Sequence, residues 1–289
     1  MIVKNSSKNF NCFKSTWRYF ASNGVYLVLI NLVPTLLLAF LLSPSSTLYY
    51  LFHMKSVDAS DLGNLFNAIW HMPFGLWYLG LIGLILLVLT GAVTFGVIDR
   101  HMRVGEFTVS PHYIKKRLNY NLFTAIKFVV VALISLEFYN IVTTVLYFLW
   151  ANVFSNPTTA LVFSIITLCL MELGMICTMS LFILWPPYML HTGLKSAAAF
   201  KMAWSNMSGK TFKTMLTIIS IVLPLQIIMV ITAAFDLGVV CRLVLDALSF
   251  ALVVPFYFTL MYNTFYEVTG TERMDLVAKK KDIWSKNKR

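Results

Sequence analysis

Apolar residues gather into six stretches long enough to cross a bilayer, at 24–43, 74–98, 123–151, 158–190, 212–235 and 238–266. One helical crossing needs about 20 predominantly apolar residues. The pattern therefore predicts an all-α polytopic membrane protein with six transmembrane helices. The longest polar gap is 44–73, which leaves no room for a soluble domain. Residues 1–289 read as one transmembrane domain ending in a basic tail at 267–289. Within the long gap, Leu62, Leu65, Phe66, Ile69 and Trp70 recur at helical spacing after Ser60. This predicts a short amphipathic helix on the outer leaflet or capping the bundle.

Charge fixes the expected orientation. Lys4, Lys8, Lys14 and Arg18 precede the first stretch, and Arg100, Arg103, Lys115, Lys116 and Arg117 follow the second. Lys195, Lys201, Lys210 and Lys213 follow the fourth, and Arg273, Lys279, Lys280, Lys281, Lys286, Lys288 and Arg289 follow the sixth. The other side holds only Lys55 and Arg242, with Lys127 just inside the third stretch. Lys and Arg stay cytoplasmic during insertion, so both termini are expected in the cytoplasm of a multi-pass cell-membrane protein. The first apolar run lacks a small-residue cleavage site and reads as a retained anchor.

The basic segments share a pattern. Phe10, Phe13, Trp17 and Phe20 recur at helical spacing with Lys14 and Arg18 opposite. Ser110-Pro111 starts a second such segment and GLKSAAAFKMAWSNMSGK forms a third. Phe13-Lys14-x-x-Trp17 aligns with Phe200-Lys201-x-x-Trp204, and Ile114-Lys115-x-x-Leu118 fits the same slots. The reading is three repeated units, each a short interfacial helix (10–20, 111–121, 195–208) plus a transmembrane hairpin. Pro34 and Pro224 then fall inside the spans that follow the first and third. Pro186-Pro187 is expected to end the fourth span. Phe148, Trp150 and Phe154, and Trp185 and Tyr188, read as belts at the two membrane surfaces. Ala92/Gly96 and Gly174/Thr178 are small-residue pairs suited to close helix approach.

Composition narrows the function classes. Only 12 % of residues are charged and 58 % are hydrophobic, against about 25 % charged in a soluble domain. The net charge of +11 is divided among segments flanking spans, so it suits anionic headgroups of the bilayer and not nucleic acid. Cys12, Cys169, Cys177 and Cys241 form no metal or disulfide spacing and read as packing residues. The five histidines are scattered, and there is no nucleophile motif or glycine-rich phosphate cradle. No enzyme activity, metal or cofactor is expected.

Four ionisable residues stand out inside the spans: Glu137, Glu172, Arg242 and Asp246. Glu137 and Glu172 lie equally far from the turn joining spans three and four, so an antiparallel hairpin puts them at one depth near the bilayer centre. Asn140 follows Glu137 by about one turn, and Arg242 and Asp246 are four apart on span six. Acids there normally turn inward and find a partner. These five residues are the candidate lining of a polar cavity. The competing reading is a structural knot, with hydrogen-bonded glutamates and Arg242 turned outward against Asp246.

From the second span onward the chain resembles the YesL-like family of bacterial six-helix integral membrane proteins. The resemblance is carried by Thr90-Gly91-Ala92, by RVGEFTVSPHYIKKRLNYNLFTAI and by GLKSAAAFKMAWSNMSGKTFKTMLTI. The chain has Gly91-Ala92-Val93 where that family often has Gly-Pro-Ala. The membrane domain of glycerophosphodiester phosphodiesterases has a similar layout. The resemblance implies six helices, no catalytic residues, and an accessory role beside bacterial carbohydrate ABC transporter components. The alternative, from the intramembrane acids, is a small transporter or lipid-handling protein with a polar cavity around Glu137 and Glu172.

Overall fold

The computed structural model describes residues 11–53, 62, 63, 65, 76–107 and 111–277, with the backbone alone at 111–117 and 120. The described residues form helices and no strand: α1 (Cys12–Leu38), α2 (Pro44–Phe52), α3 (Trp77–Val104), α4 (Pro111–Val153), α5 (Pro157–Phe182), α6 (Trp185–Thr192), α7 (Ser196–Met207), α8 (Thr211–Ala234) and α9 (Val239–Thr269). Six lengths are long and apolar enough to cross a membrane: α1, α3, Asn121–Val153 of α4, α5 with α6, α8 and α9. The chain is a multi-pass membrane protein of the all-α class. The turns after α1, α4 and α8 share one end of the bundle, here the α2 end; the other is the tail end.

The short helices differ from the expected ones. α1 runs unbroken from Cys12, so 12–20 is the first turns of a spanning helix and not a separate surface helix. The segment from Pro111 likewise continues into α4, a helix of 43 residues. Neither join holds a proline, between Cys12 and Ile30 or between His112 and Val153, and the helix runs through Asn23-Gly24 without a break. Only α7 is separated from its span, by a turn at 208–210. The Phe-Lys-x-x-Trp alignment thus pairs a residue inside a long helix with one on a short independent helix. Trp17 donates to Ser220 Oγ at 3.0 Å and packs on Phe256, whereas Trp204 is exposed. The helix expected after Ser60 lies mostly outside the described residues, although Leu65 is buried against α2, Tyr147 and Met229.

The proline pair acts upstream of its own position. Pro186 and Pro187 carry no N–H for the carbonyls of Phe182 and Ile183, so the ladder of α5 stops at Phe182. The two prolines then occupy the first turn of α6, where a missing donor costs nothing. The break turns α6 under the bundle. Trp185 and Tyr188, expected at the membrane surface, are therefore buried: Trp185 donates to Ser196 O at 2.9 Å, and Tyr188 packs on Phe265 and accepts from Asn206.

α1 makes its most extensive contact with α9 and the next with α3. Two glycines of α3 make the second contact possible. A Cβ at Gly80 would lie 2.4–2.9 Å from atoms of Leu41, and one at Gly83 2.7–2.9 Å from atoms of Leu37 and Leu38, backbone included. Asn31 of α1, fully buried, then donates to Thr94 Oγ1 of α3 at 2.9 Å. The anticipated small-residue pairs are filled by polar side chains. Asn121 Nδ2 donates to Ala92 O and would meet a Cβ at Gly96, and the Tyr139 ring covers Gly174 while its hydroxyl bonds Thr178 Oγ1 at 2.8 Å.

The tail end is packed solid with Phe95, Phe258, Tyr262, Phe265 and Tyr266, all nearly or fully buried. The basic tail begins inside this packing. Arg273 donates to the Asn263 side chain, pairs with Asp275 at 2.7 Å and lies over the Tyr19 ring. Beside it, Asp99 holds His191 at 3.1 Å and Arg103 at 3.6 Å. Residues 278–289 lie outside the described set.

Gly80→Ala and Gly83→Ala are each expected to destabilise the fold by about 1–3 kcal/mol, because the obstructing atoms are backbone and cannot swing away. Gly91→Ala, whose Cβ would meet only the Phe258 ring edge at 3.6 Å, is expected to be near neutral. Thermal unfolding of the three purified variants checks this contrast.

Candidate functional site

The α4–α5 hairpin meets α3 along one edge and α8 along the other. Between this hairpin, the α1–α2 turn and Phe250 of α9 lies a chamber of about 170 Å³. Its floor and walls are Leu136, Glu137, Tyr139, Asn140 and Thr143 of α4 and Leu168, Met171, Glu172 and Met175 of α5. Its roof is the run Leu41–Leu42–Ser43–Pro44 with Thr47 and Leu48 of α2. Glu137 is the central residue of the apolar length Asn121–Val153. The chamber therefore reaches from mid-membrane to the first turn of α2.

Glu137, Asn140 and Glu172, anticipated from the sequence, all line this one space. They arrive there by helical periodicity. Leu136, Glu137, Asn140 and Thr143 share one face of α4, and Leu168, Met171, Glu172 and Met175 share one of α5. Gln226 of α8 is within hydrogen-bonding reach of the Glu172 carboxyl. Glu137 Oε2 is buried without a hydrogen-bond partner, and so is the hydroxyl of Tyr147, a residue close enough to Glu172 to feel its charge. Gln226 and Tyr147 were not anticipated. The signal for Gln226 was present: it is the one amide in the aliphatic run Ile221–Ile231.

Arg242 and Asp246 do not line the chamber, and their side chains do not pair with each other as the structural alternative expected. Asp246, fully buried, is the acceptor for the α1–α2 turn. Ser43 Oγ donates to it at 2.6 Å, Ser45 Oγ at 2.7 Å and Ser45 N at 3.0 Å. Ser43 is the N-cap residue of α2, with Pro44 in the first turn, yet its hydroxyl caps nothing in its own helix. The carboxylate of α9 supplies the acceptor that an N-cap side chain normally offers. Negative charge at that terminus also matches the helix dipole.

Arg242 is directed elsewhere. Its guanidinium lies 3.8 Å from the centroid of the Tyr49 ring and 3.5 Å from Asp236 Oδ1. Asp236 closes α8 in a Schellman arrangement, with Leu237 N to Thr232 O at 3.3 Å and Asp236 N to Ala233 O at 3.4 Å. It adopts φ +47°, a position usually held by glycine. Asp is among the few other residues that tolerate it, and here its carboxylate faces Arg242. The five candidates thus form two groups joined through the α1–α2 turn: a chamber and, above it, a cap.

Comparison with protein-family models, with curated proteins and with solved structures finds no match to this chain.

Asp246→Ala is expected to leave the buried Ser45 N–H unmatched, with the Ser43 and Ser45 hydroxyls falling back on Ser46 Oγ and Arg242 O, and to destabilise by about 1–3 kcal/mol. Asp246→Asn keeps one acceptor and should lose less. Hydrogen exchange over 44–52 checks the mechanism: faster exchange there in Asp246→Ala, with 211–234 less affected, is the expected pattern.

Proposed function

We propose that this chain binds, and in turn transports, a small polar solute in the chamber at mid-membrane, without catalysing a reaction. The observation that carries this reading is that two carboxyls from adjacent spans converge on one void. Each acid costs about 2.5–3.5 kcal/mol at the centre of a span on insertion scales. A purely structural pair offsets that cost by hydrogen bonding across a closed interface. Here Glu137 keeps a buried oxygen without a partner, and the space beside it is large enough for on the order of ten waters.

The surroundings support access from one side. The chamber extends toward the α2 end, whereas the tail end is filled by the aromatic core. With both termini cytoplasmic, as the distribution of Lys and Arg implies, the end of the chamber roofed by the α1–α2 turn lies toward the outer face of the cell membrane, and movement of that roof would admit a solute from there. The hairpin that forms its wall is the least packed part of the bundle: 11 % of the apolar window of α4 and 17 % of that of α5–α6 are buried, against 28–44 % for the other spans. Weakly packed elements have the lowest cost of movement. The accessory role beside carbohydrate ABC transporter components, which the YesL-like resemblance implies, requires no chamber and would stand if the chamber proved inert.

Thiol labelling tests access. In a variant with Cys12, Cys169, Cys177 and Cys241 replaced by Ser, single cysteines at Thr47, Thr143 and Leu168 are expected to react with a small membrane-impermeant thiol reagent added to intact cells. A cysteine at Phe258, in the tail-end core, is expected not to react. Failure of all three chamber positions to label would remove the solute compartment.

A further inference from the structure

We propose that the ligand of the chamber is a small organic cation: an ammonium group carried on a short apolar body. This rests on the reading of the chamber as a solute site and names its substrate class. Among the residues lining the space, two are carboxylic acids and none is Lys, Arg or His. The nearest buried cation on α9, Arg242, is held by the Tyr49 ring and Asp236 on the far side of the cap. The chamber therefore brings two carboxyl groups together with no basic side chain beside them, in surroundings where an unpaired ion is costly. An entering cation supplies the missing half of the pair.

The donor and acceptor inventory sharpens the head group. Glu137 Oε2 lacks a partner, Glu172 has Gln226 to one side, and Asn140 offers an amide oxygen. An ammonium with two or three N–H donors satisfies several such acceptors at once. A quaternary ammonium has no N–H to give them.

The walls argue for an organic body over a bare metal ion. A hard metal cation gathers six or more oxygens at about 2.0–2.6 Å. The described residues bring no three of His, Cys, Asp or Glu together at one point. The space of about 170 Å³ is instead bounded largely by Leu41, Leu48, Leu136, Met171, Met175 and Phe250. Leucine and methionine side chains match an apolar chain or ring, and methionine adapts its shape to the ligand.

The test uses the full chain in nanodiscs, read by its melting temperature and by equilibrium titration. Benzylammonium chloride is the probe. Benzyl alcohol is its neutral counterpart, benzoate the anionic one and sodium chloride the control for ionic strength. Benzylammonium is expected to raise the melting temperature in a saturable manner, with the other three giving no saturable rise. Glu137→Gln and Glu172→Gln, with unliganded melting temperatures at or above the parent value, are each expected to weaken benzylammonium binding about tenfold or more. Saturable binding of benzyl alcohol to the same extent, an equal effect of sodium chloride, or unchanged affinity in both Gln variants would overturn the cation assignment. So would the absence of any saturable benzylammonium effect. If that absence accompanies thiol labelling at Thr47, Thr143 and Leu168, the solute compartment stands and only its ligand class fails.

Discussion

The Asp246 carboxylate holds the α1–α2 turn in place, and the upper half of the molecule is arranged around that anchorage. One acid on the last helix takes three donors from Ser43 and Ser45. Without it, the Ser45 N–H in the first turn of α2 would be buried without an acceptor. With it, the chain leaves α1, turns within a few residues, and lays α2 against α8 and α9. That turn is the roof of the chamber. The position of the polar space at mid-membrane thus depends on a contact outside it. Arg242, one turn away, reaches Asp236 and the Tyr49 ring, which ties the end of α8 to the same cap.

Much of this architecture was legible in the sequence, for reasons that differ from feature to feature. Span number follows from the length of apolar runs, which the bilayer dictates regardless of tertiary packing. The shared depth of Glu137 and Glu172 followed from the short antiparallel turn, which fixes the register of two helices; that both face one space depends on how the hairpin is rotated against its neighbours. Helix joins were harder. Aromatic and lysine spacing near Trp17 describes an amphipathic helix equally well whether it lies flat or continues into a span, and Asn23-Gly24 between them is compatible with either. The proline pair ends the helix as expected, but four residues upstream, where the carbonyls it leaves without donors lie.

Partnerships among polar residues were the least legible. Arg242 and Asp246 stand four apart on one helix, the spacing of a mutual ion pair, yet each is matched to a residue far away in sequence. Serines in a loop gave no sign that a carboxylate some 200 residues later would use them. Gln226 and Tyr147 carry no formal charge, and a lone amide or phenol within an apolar span does not by itself mark a polar space. The small-residue pairs were read correctly as places of close approach. What approaches, however, is the side chain of Asn121 or Tyr139, whereas the backbone-to-backbone meeting of helices occurs at Gly80 and Gly83.

The large contact between α1 and α9 has a bearing on how the chain assembles during synthesis. The first span to emerge has its principal partner in the last. Until α9 is made, the buried face of α1, with Thr16, Asn31 and Thr35, has only α3 and a smaller contact with α8 to cover part of it. The waiting helix must be shielded by the insertion machinery or by lipid until translation ends. Ribosome stalling or truncation before residue 239 would therefore leave an exposed polar seam, the kind of mark by which membrane quality control distinguishes an unfinished chain from a completed one.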